Sequence, residues 1–125
     1  MTASSLDRSY TADFADHGLV TLSVSGPAAM PVLVATGEID CTSAPHVQAR
    51  IEQLLDAGAR ELVIDLTAVT FLDSAGLCAL ATVHRLSAGQ VGIRVLASTR
   101  AVIRPLQITG LWQLLGAERV ENSPF

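Results

Sequence analysis

Asp73 and Ser74 are the residues most able to do chemistry in this chain. They stand at the head of an apolar stretch, in the run Phe71-Leu72-Asp73-Ser74-Ala75-Gly76-Leu77. Either side chain can accept from the first free amides of a helix, and the positive end of the helix dipole then lies beside the Ser74 hydroxyl. A hydroxyl so placed is suited to carrying a phosphate. The modification would add about 1.5 to 2 negative charges and three acceptor oxygens, attracted by helix amides and repelled by Asp73.

The plainer reading of Asp73-Ser74 is a helix cap alone. That reading leaves the helix unexplained: Ala75, Leu77, Cys78, Ala79, Leu80, Ala81 and Val83 make its first half apolar almost all round. Such a surface is buried on two sides or shared with a partner.

Other reactive groups give less. All eight basic residues are arginine, which removes a phosphate-binding, Schiff-base or general-base lysine. Asp40, Asp65 and Asp73 would suit a receiver-type aspartyl phosphoacceptor, but that chemistry needs a lysine. A serine hydrolase is weaker still, because Ser74 has no nucleophile elbow around it. His17, His46 and His84 are scattered without ligand spacing, so neither a metal nor another cofactor is expected. Cys41 and Cys78 lie 37 positions apart with no CxxC spacing. They read either as two small buried hydrophobes or as a redox pair at one end of the sheet.

The elements that must position these groups alternate. Residues 1–18 read as a loose arm and 19–125 as one domain. Leu19 to Val24 and Val32 to Val34 form an antiparallel hairpin about Ser25-Gly26-Pro27. A helix follows, started by Thr42, Ser43 and Pro45, carrying Val47, Ile51, Leu54 and Leu55 on one face, and closed at Gly58. Leu62 to Leu66 is a strand, Asp73-Ser74 opens a helix to about Ser87, and Val91 to Ala97 is another strand. A short helix from Thr99 to Thr109 ends at Gly110, with Pro105 arguing against it. The alternation specifies βαβ units and an α/β fold, a mixed sheet of four to five strands covered by helices.

Composition agrees. With 125 residues, half of them hydrophobic, and a net charge of −4, the chain has material for a core. It lacks the clustered basic surface a nucleic-acid binder needs. The start has no signal-peptide profile and no apolar run approaches a membrane span, which points to a cytoplasmic protein without membrane insertion.

Three segments carry a family resemblance. Val63-Ile-Asp-Leu-Thr-Ala-Val-Thr-Phe-Leu-Asp-Ser-Ala-Gly-Leu77 resembles the signature of STAS domains, specifically bacterial anti-sigma factor antagonists. Thr36-Gly-Glu-Ile-Asp40 with Thr42-Ser-Ala-Pro45, and Ile108-Thr-Gly-Leu111, resemble two further family segments in the expected order. The resemblance spans about Leu19 to Glu121. It implies a non-enzymatic switch, monomeric or weakly dimeric. Its partner would be an anti-sigma factor with serine protein kinase activity, and a phosphatase would reset it. Ser74 would be the phosphoacceptor and Asp73 its flanking acid. Gly76 would permit close approach, and Asp40 would join the partner surface with Asp73, Ser74, Ala75, Gly76 and Leu77. Ala75 stands where antagonists usually have Ser or Thr, and the sequence stops at Phe125 where many members add a last helix. Those two departures also fit a phosphorylation-independent STAS scaffold in a transporter ATPase or stress complex.

Overall fold

The computed structural model describes residues 13–17 and 20–125, with side chains from residue 20 onward. Its strands are β1 (Asp13–His17), β2 (Val20–Ser25), β3 (Val32–Ile39), β4 (Glu61–Leu72), β5 (Gly92–Ala97) and β6 (Ala117–Arg119). Its helices are α1 (Ala44–Asp56), α2 (Ser74–Ser87), α3 (Arg100–Thr109) and α4 (Leu111–Leu114). The strands form one mixed sheet in chain order, β1 to β6. β1, β2 and β3 pair antiparallel; β3 to β6 pair parallel.

Period-2 alternation builds the sheet. In β2, Val20, Leu22 and Val24 are buried between half-buried Thr21, Ser23 and Ser25. Leu33 and Ala35 of β3, Leu62, Ile64 and Leu66 of β4, and Val95 and Ala97 of β5 continue that face. Val47, Ile51 and Leu54 of α1, Ala79, Leu80 and Val83 of α2, and Val102 and Leu106 of α3 complete one core with it. Each fully buried Leu, Ile or Val contributes about 1.5–3 kcal/mol relative to exposure, so these three helix stripes hold the layers together.

Three expectations are corrected. Six strands replace four or five, because β1 and β6 add edges. Part of the expected arm, Asp13–His17, pairs with β2 as β1; the arm's remaining residues lie outside the described residues. β6 is the three residues Ala-Glu-Arg, which have no strand propensity and are held by pairing to β5 and by an Arg94–Glu118 ion pair at 2.6 Å. Most consequential, β4 continues six residues beyond Leu66. Thr67, Ala68 and Thr70 resemble a loop in isolation, yet they stay extended because β3 supplies partners through the pair Ile39↔Leu72. Two register shifts, opposite Val34/Thr36 and Gly37/Glu38, absorb the mismatch by placing the extra residues on β4, Thr70 among them.

Other local readings stand. Pro45 lies in the first turn of α1. Pro105 sits inside α3 without ending it, and Gly110 ends it at φ +80°, a left-handed conformation glycine adopts without strain. Trp112 is half-buried and packs on the core. Asp65 is fully buried in mid-strand rather than at a strand end. Its Oδ1 accepts from the Thr67 amide at 2.9 Å and hydroxyl at 2.7 Å, and its Oδ2 accepts from Ser123 Oγ. Those hydroxyls stand in for the water a buried carboxylate has lost.

Candidate functional site

The site is the end of the sheet where β3 and β4 finish together. Ile39 and Leu72 are register partners, and the Asp73 amide donates to the Ile39 carbonyl at 3.2 Å. Asp40 and Asp73 are therefore the first residues beyond two hydrogen-bonded parallel strands.

The Asp73 carboxylate caps α2. Its Oδ1 accepts from the amides of Ala75 (2.9 Å) and Gly76 (3.2 Å), with the backbone extended at φ −100° and ψ −170°. This satisfies two of the orphan donors at the helix start. Ser74 is the first helical residue, exposed, and its hydroxyl makes no hydrogen bond among the described residues. Capping and a free hydroxyl, two readings that competed for Asp73-Ser74, are divided between the two side chains. The division changes what a phosphate would meet. The two nearest helix amides are occupied by Asp73, so repulsion rather than amide capture dominates there.

Asp40 organises the facing loop. Its Oδ1 accepts from the amides of Thr42 at 2.9 Å and Ser43 at 3.0 Å. The Ser43 hydroxyl, fully buried, accepts from the Asp40 amide at 2.9 Å and lies 2.9 Å from the Glu38 carbonyl. The Ser43 amide, more than any other group, lowers the Asp40 pKa below its ordinary 3.8, against a smaller opposing effect of burial. A fixed negative charge results. Ser43 is the N-cap of α1 by position, yet its side chain points back to lock Asp40. The spacing Asp-x-x-Ser is the signal for that lock in the sequence, where Ser43 is expected only as a cap.

Gly76 is buried in the core. A Cβ there would lie 3.0 Å from Ile39 Cγ2 and inside van der Waals contact of Leu72 Cδ1. Its small size serves the seating of α2 on β3 and β4, not an approaching partner. Ala75 and Leu77 are half-buried. Of the expected surface, Asp40 and Asp73 are half-buried and Ser74 is exposed at this end of the sheet; Phe71, the register partner of Glu38, is exposed two residues before Asp73 and is an addition to the expected set.

Cys41 and Cys78 are free thiols and both exposed, which corrects the reading as buried hydrophobes. They line one groove of about 330 Å³ between α1 and α2, with Ala44, Gln48, Ala75 and Ala79. Cys41 precedes α1 in a polar turn and Cys78 faces away from the α2 core stripe, so neither reaches the interior. Ala75 opens on this groove. Among the described residues no three His, Cys, Asp or Glu side chains gather as a metal site requires; the side chain of His17 lies outside them. No described helix is long and apolar enough to cross a membrane.

Parallel β3 to β6 joined by helices, an antiparallel hairpin ahead of them, and an acid-capped α2 opening on an exposed serine define a STAS domain, whose family model matches residues 21–123. The chain belongs to that family. It is 34% identical over 92 residues to the anti-sigma-F factor antagonist RsfB of Mycobacterium tuberculosis, covering 74% of this chain and 75% of that protein. The crystal structure of an anti-sigma factor antagonist from Mycobacterium paratuberculosis matches with a TM-score of 0.73 and 34% identity, covering 78% of this chain and 84% of that one. The anti-sigma factor antagonist SpoIIAA shares the fold, with a TM-score of 0.62 at 15% identity over 88% of each chain.

Proposed function

We propose that this protein is an anti-sigma factor antagonist, a binding regulator rather than an enzyme, switched by phosphorylation of Ser74. Unphosphorylated, it binds an anti-sigma factor with serine kinase activity and frees the sigma factor. Phosphorylated, it lets the anti-sigma factor go, until a phosphatase restores the hydroxyl. It acts in the cytoplasm as a monomer or weak dimer, without contacting nucleic acid itself. Asp40, Asp73 and Ser74 form the centre of the docking surface, with Leu77 at its edge.

The carrying observation is the exposed Ser74 hydroxyl, without a hydrogen bond among the described residues and held one residue after the cap. Support comes also from the relatives, which are named as antagonists; they give none to a phosphorylation-independent scaffold. The mechanism is electrostatic. A phosphate beside Asp73, on a surface that already holds Asp40, adds like-charge repulsion and desolvation cost to docking. Each 1.4 kcal/mol so lost weakens binding about tenfold. The cap is made by Asp73, so the fold need not change. The groove holding Cys41 and Cys78 is a candidate for thiol-based control of the same end.

Incubation with the cognate kinase and ATP, followed by peptide mass spectrometry, tests the reading. One phosphate is expected on the peptide carrying Ser74; none, or one elsewhere, rejects the switch.

A further inference from the structure

Beyond the acidic end of the sheet, α3 presents a surface of opposite character. Arg100, Arg104 and Ile108 follow at i, i+4 and i+8 and share one stripe, with Ala101 and Pro105 beside it. Together with Leu77 of α2 they line an open, almost wholly apolar groove of about 610 Å³. Ile108 is 72% exposed there. Arg100 and Arg104 also border a second, polar hollow completed by Arg119 of β6. Among the described residues none of the three arginines makes an ion pair or a side-chain hydrogen bond, while Arg94 is paired with Glu118. A chain with net charge −4 thus sets two arginines along an exposed apolar groove and a third in the hollow beside it, none of them paired among the described residues.

We infer that the α2–α3 groove docks an apolar segment of the anti-sigma factor flanked by carboxylates. The inference rests on the antagonist reading and adds the chemistry of the partner. Leu77 is one turn beyond Ser74 on α2, so a partner seated at Ser74 extends onto the groove. Charge decides the occupant: unpaired guanidiniums beside aliphatic side chains favour a segment with aliphatic anchors and Asp or Glu at its margins. The docking face is then bipolar, acidic at Asp40 and Asp73 and basic along α3. A partner of complementary polarity is held in one orientation, and the reversed pose meets like charges at both ends.

The test titrates the chain and its variants into the cognate anti-sigma factor by calorimetry, at about 50 and 300 mM salt. Wild-type binding is expected to weaken with salt. Arg100→Glu/Arg104→Glu should cost about tenfold or more and flatten that dependence, with Arg100→Gln/Arg104→Gln intermediate. Ile108→Ser should cost about tenfold. Exposed Arg60→Glu, far along the chain from α3, should stay within about twofold. Unchanged thermal unfolding shows that the variants fold. Arginine variants that bind like the wild type, while Ser74→Asp still weakens binding, overturn the groove and leave the antagonist reading standing. Wild-type protein that does not bind at all overturns both. Sedimentation covers the remaining occupant: a dimer of this chain that dissociates on Arg104→Glu assigns the groove to a second copy and overturns the inference.

Discussion

Asp40 and Asp73 are the equivalent residues of two adjacent parallel strands, each one step beyond the register pair Ile39–Leu72. Each carboxylate turns back to bind amides at the start of the helix that follows, Thr42 and Ser43 in one case, Ala75 and Gly76 in the other. The pair is therefore structural and electrostatic together. It fixes two loops and leaves two carboxylates at the end of the sheet from which Ser74 starts α2.

Ser74→Ala should bind the anti-sigma factor with unchanged affinity and accept no phosphate. Ser74→Asp should weaken binding by about tenfold or more, since each 1.4 kcal/mol of added repulsion and desolvation is a factor of ten. Calorimetric titration of both variants, with circular dichroism to show the fold intact, checks the pair; equal affinities for Ser74→Asp and wild type reject the electrostatic switch.

Asp73→Ala removes the α2 cap and orphans the Ala75 and Gly76 amides. A loss of about 1 kcal/mol is expected, within a range of roughly 0.5–2. For a domain of this size that lowers Tm by about 4 °C. Asp73→Asn or Asp73→Ser, which keep an acceptor, should recover most of it in the same thermal scan.

Gly76→Ala sets two effects against each other. Alanine gains about 0.5–1 kcal/mol over glycine within a helix. Its methyl also meets Leu72 and Ile39, both buried, and overpacking costs typically 1–3 kcal/mol. Overpacking should win, giving a net loss of about 1 kcal/mol, with Gly76→Val worse. A denaturant midpoint at or above the wild-type value would mean that α2 shifts outward without strain.

Asp40 makes part of the stability pH-dependent. The native loop holds its pKa below the ordinary 3.8, chiefly through the Ser43 amide. The unfolded chain therefore takes up the proton first as pH falls. The contribution is complete above that ordinary value and disappears as pH drops through the lower native one. Asp40→Asn should lower Tm near neutrality and lose less on acidification than wild type does. Parallel Tm profiles for the two proteins between pH 7 and pH 3 would contradict this assignment.

Cys41 and Cys78 are exposed, so both should react with a maleimide in the folded protein, giving two additions by intact mass. Two thiols that label only after denaturation would place them inside the core.

Legibility in the sequence followed the range of the interaction responsible. The three longer helices were readable because Val47, Ile51 and Leu54, or Val102 and Leu106, repeat over one or two turns within a few residues of each other. The end of β4 was not, because Thr67 to Thr70 carry a loop's polarity and are kept extended by partners on β3 about thirty residues away in the chain. β6 is a more extreme case: its three residues are a strand only because β5 and Glu118–Arg94 hold them. At the site, Asp73-Ser74 was visible as a motif, but which of the two caps the helix was a matter of backbone geometry. The role of Gly76 is set by Leu72, four residues upstream, and by Ile39, 37 residues upstream, and only the folded register shows that both lie against it.

The chain-order sheet has a bearing on synthesis. Every strand lies beside its predecessor, so the sheet can grow from one edge as the polypeptide emerges, with no strand awaiting a slot between two already placed. Ser74 acquires its fixed position when β4 zips onto β3 and the Ile39–Asp73 bond closes. A nascent or misfolded copy displays the same peptide without that geometry. A partner that reads this end of the sheet thereby distinguishes chains in which β4 has paired with β3 from chains in which it has not.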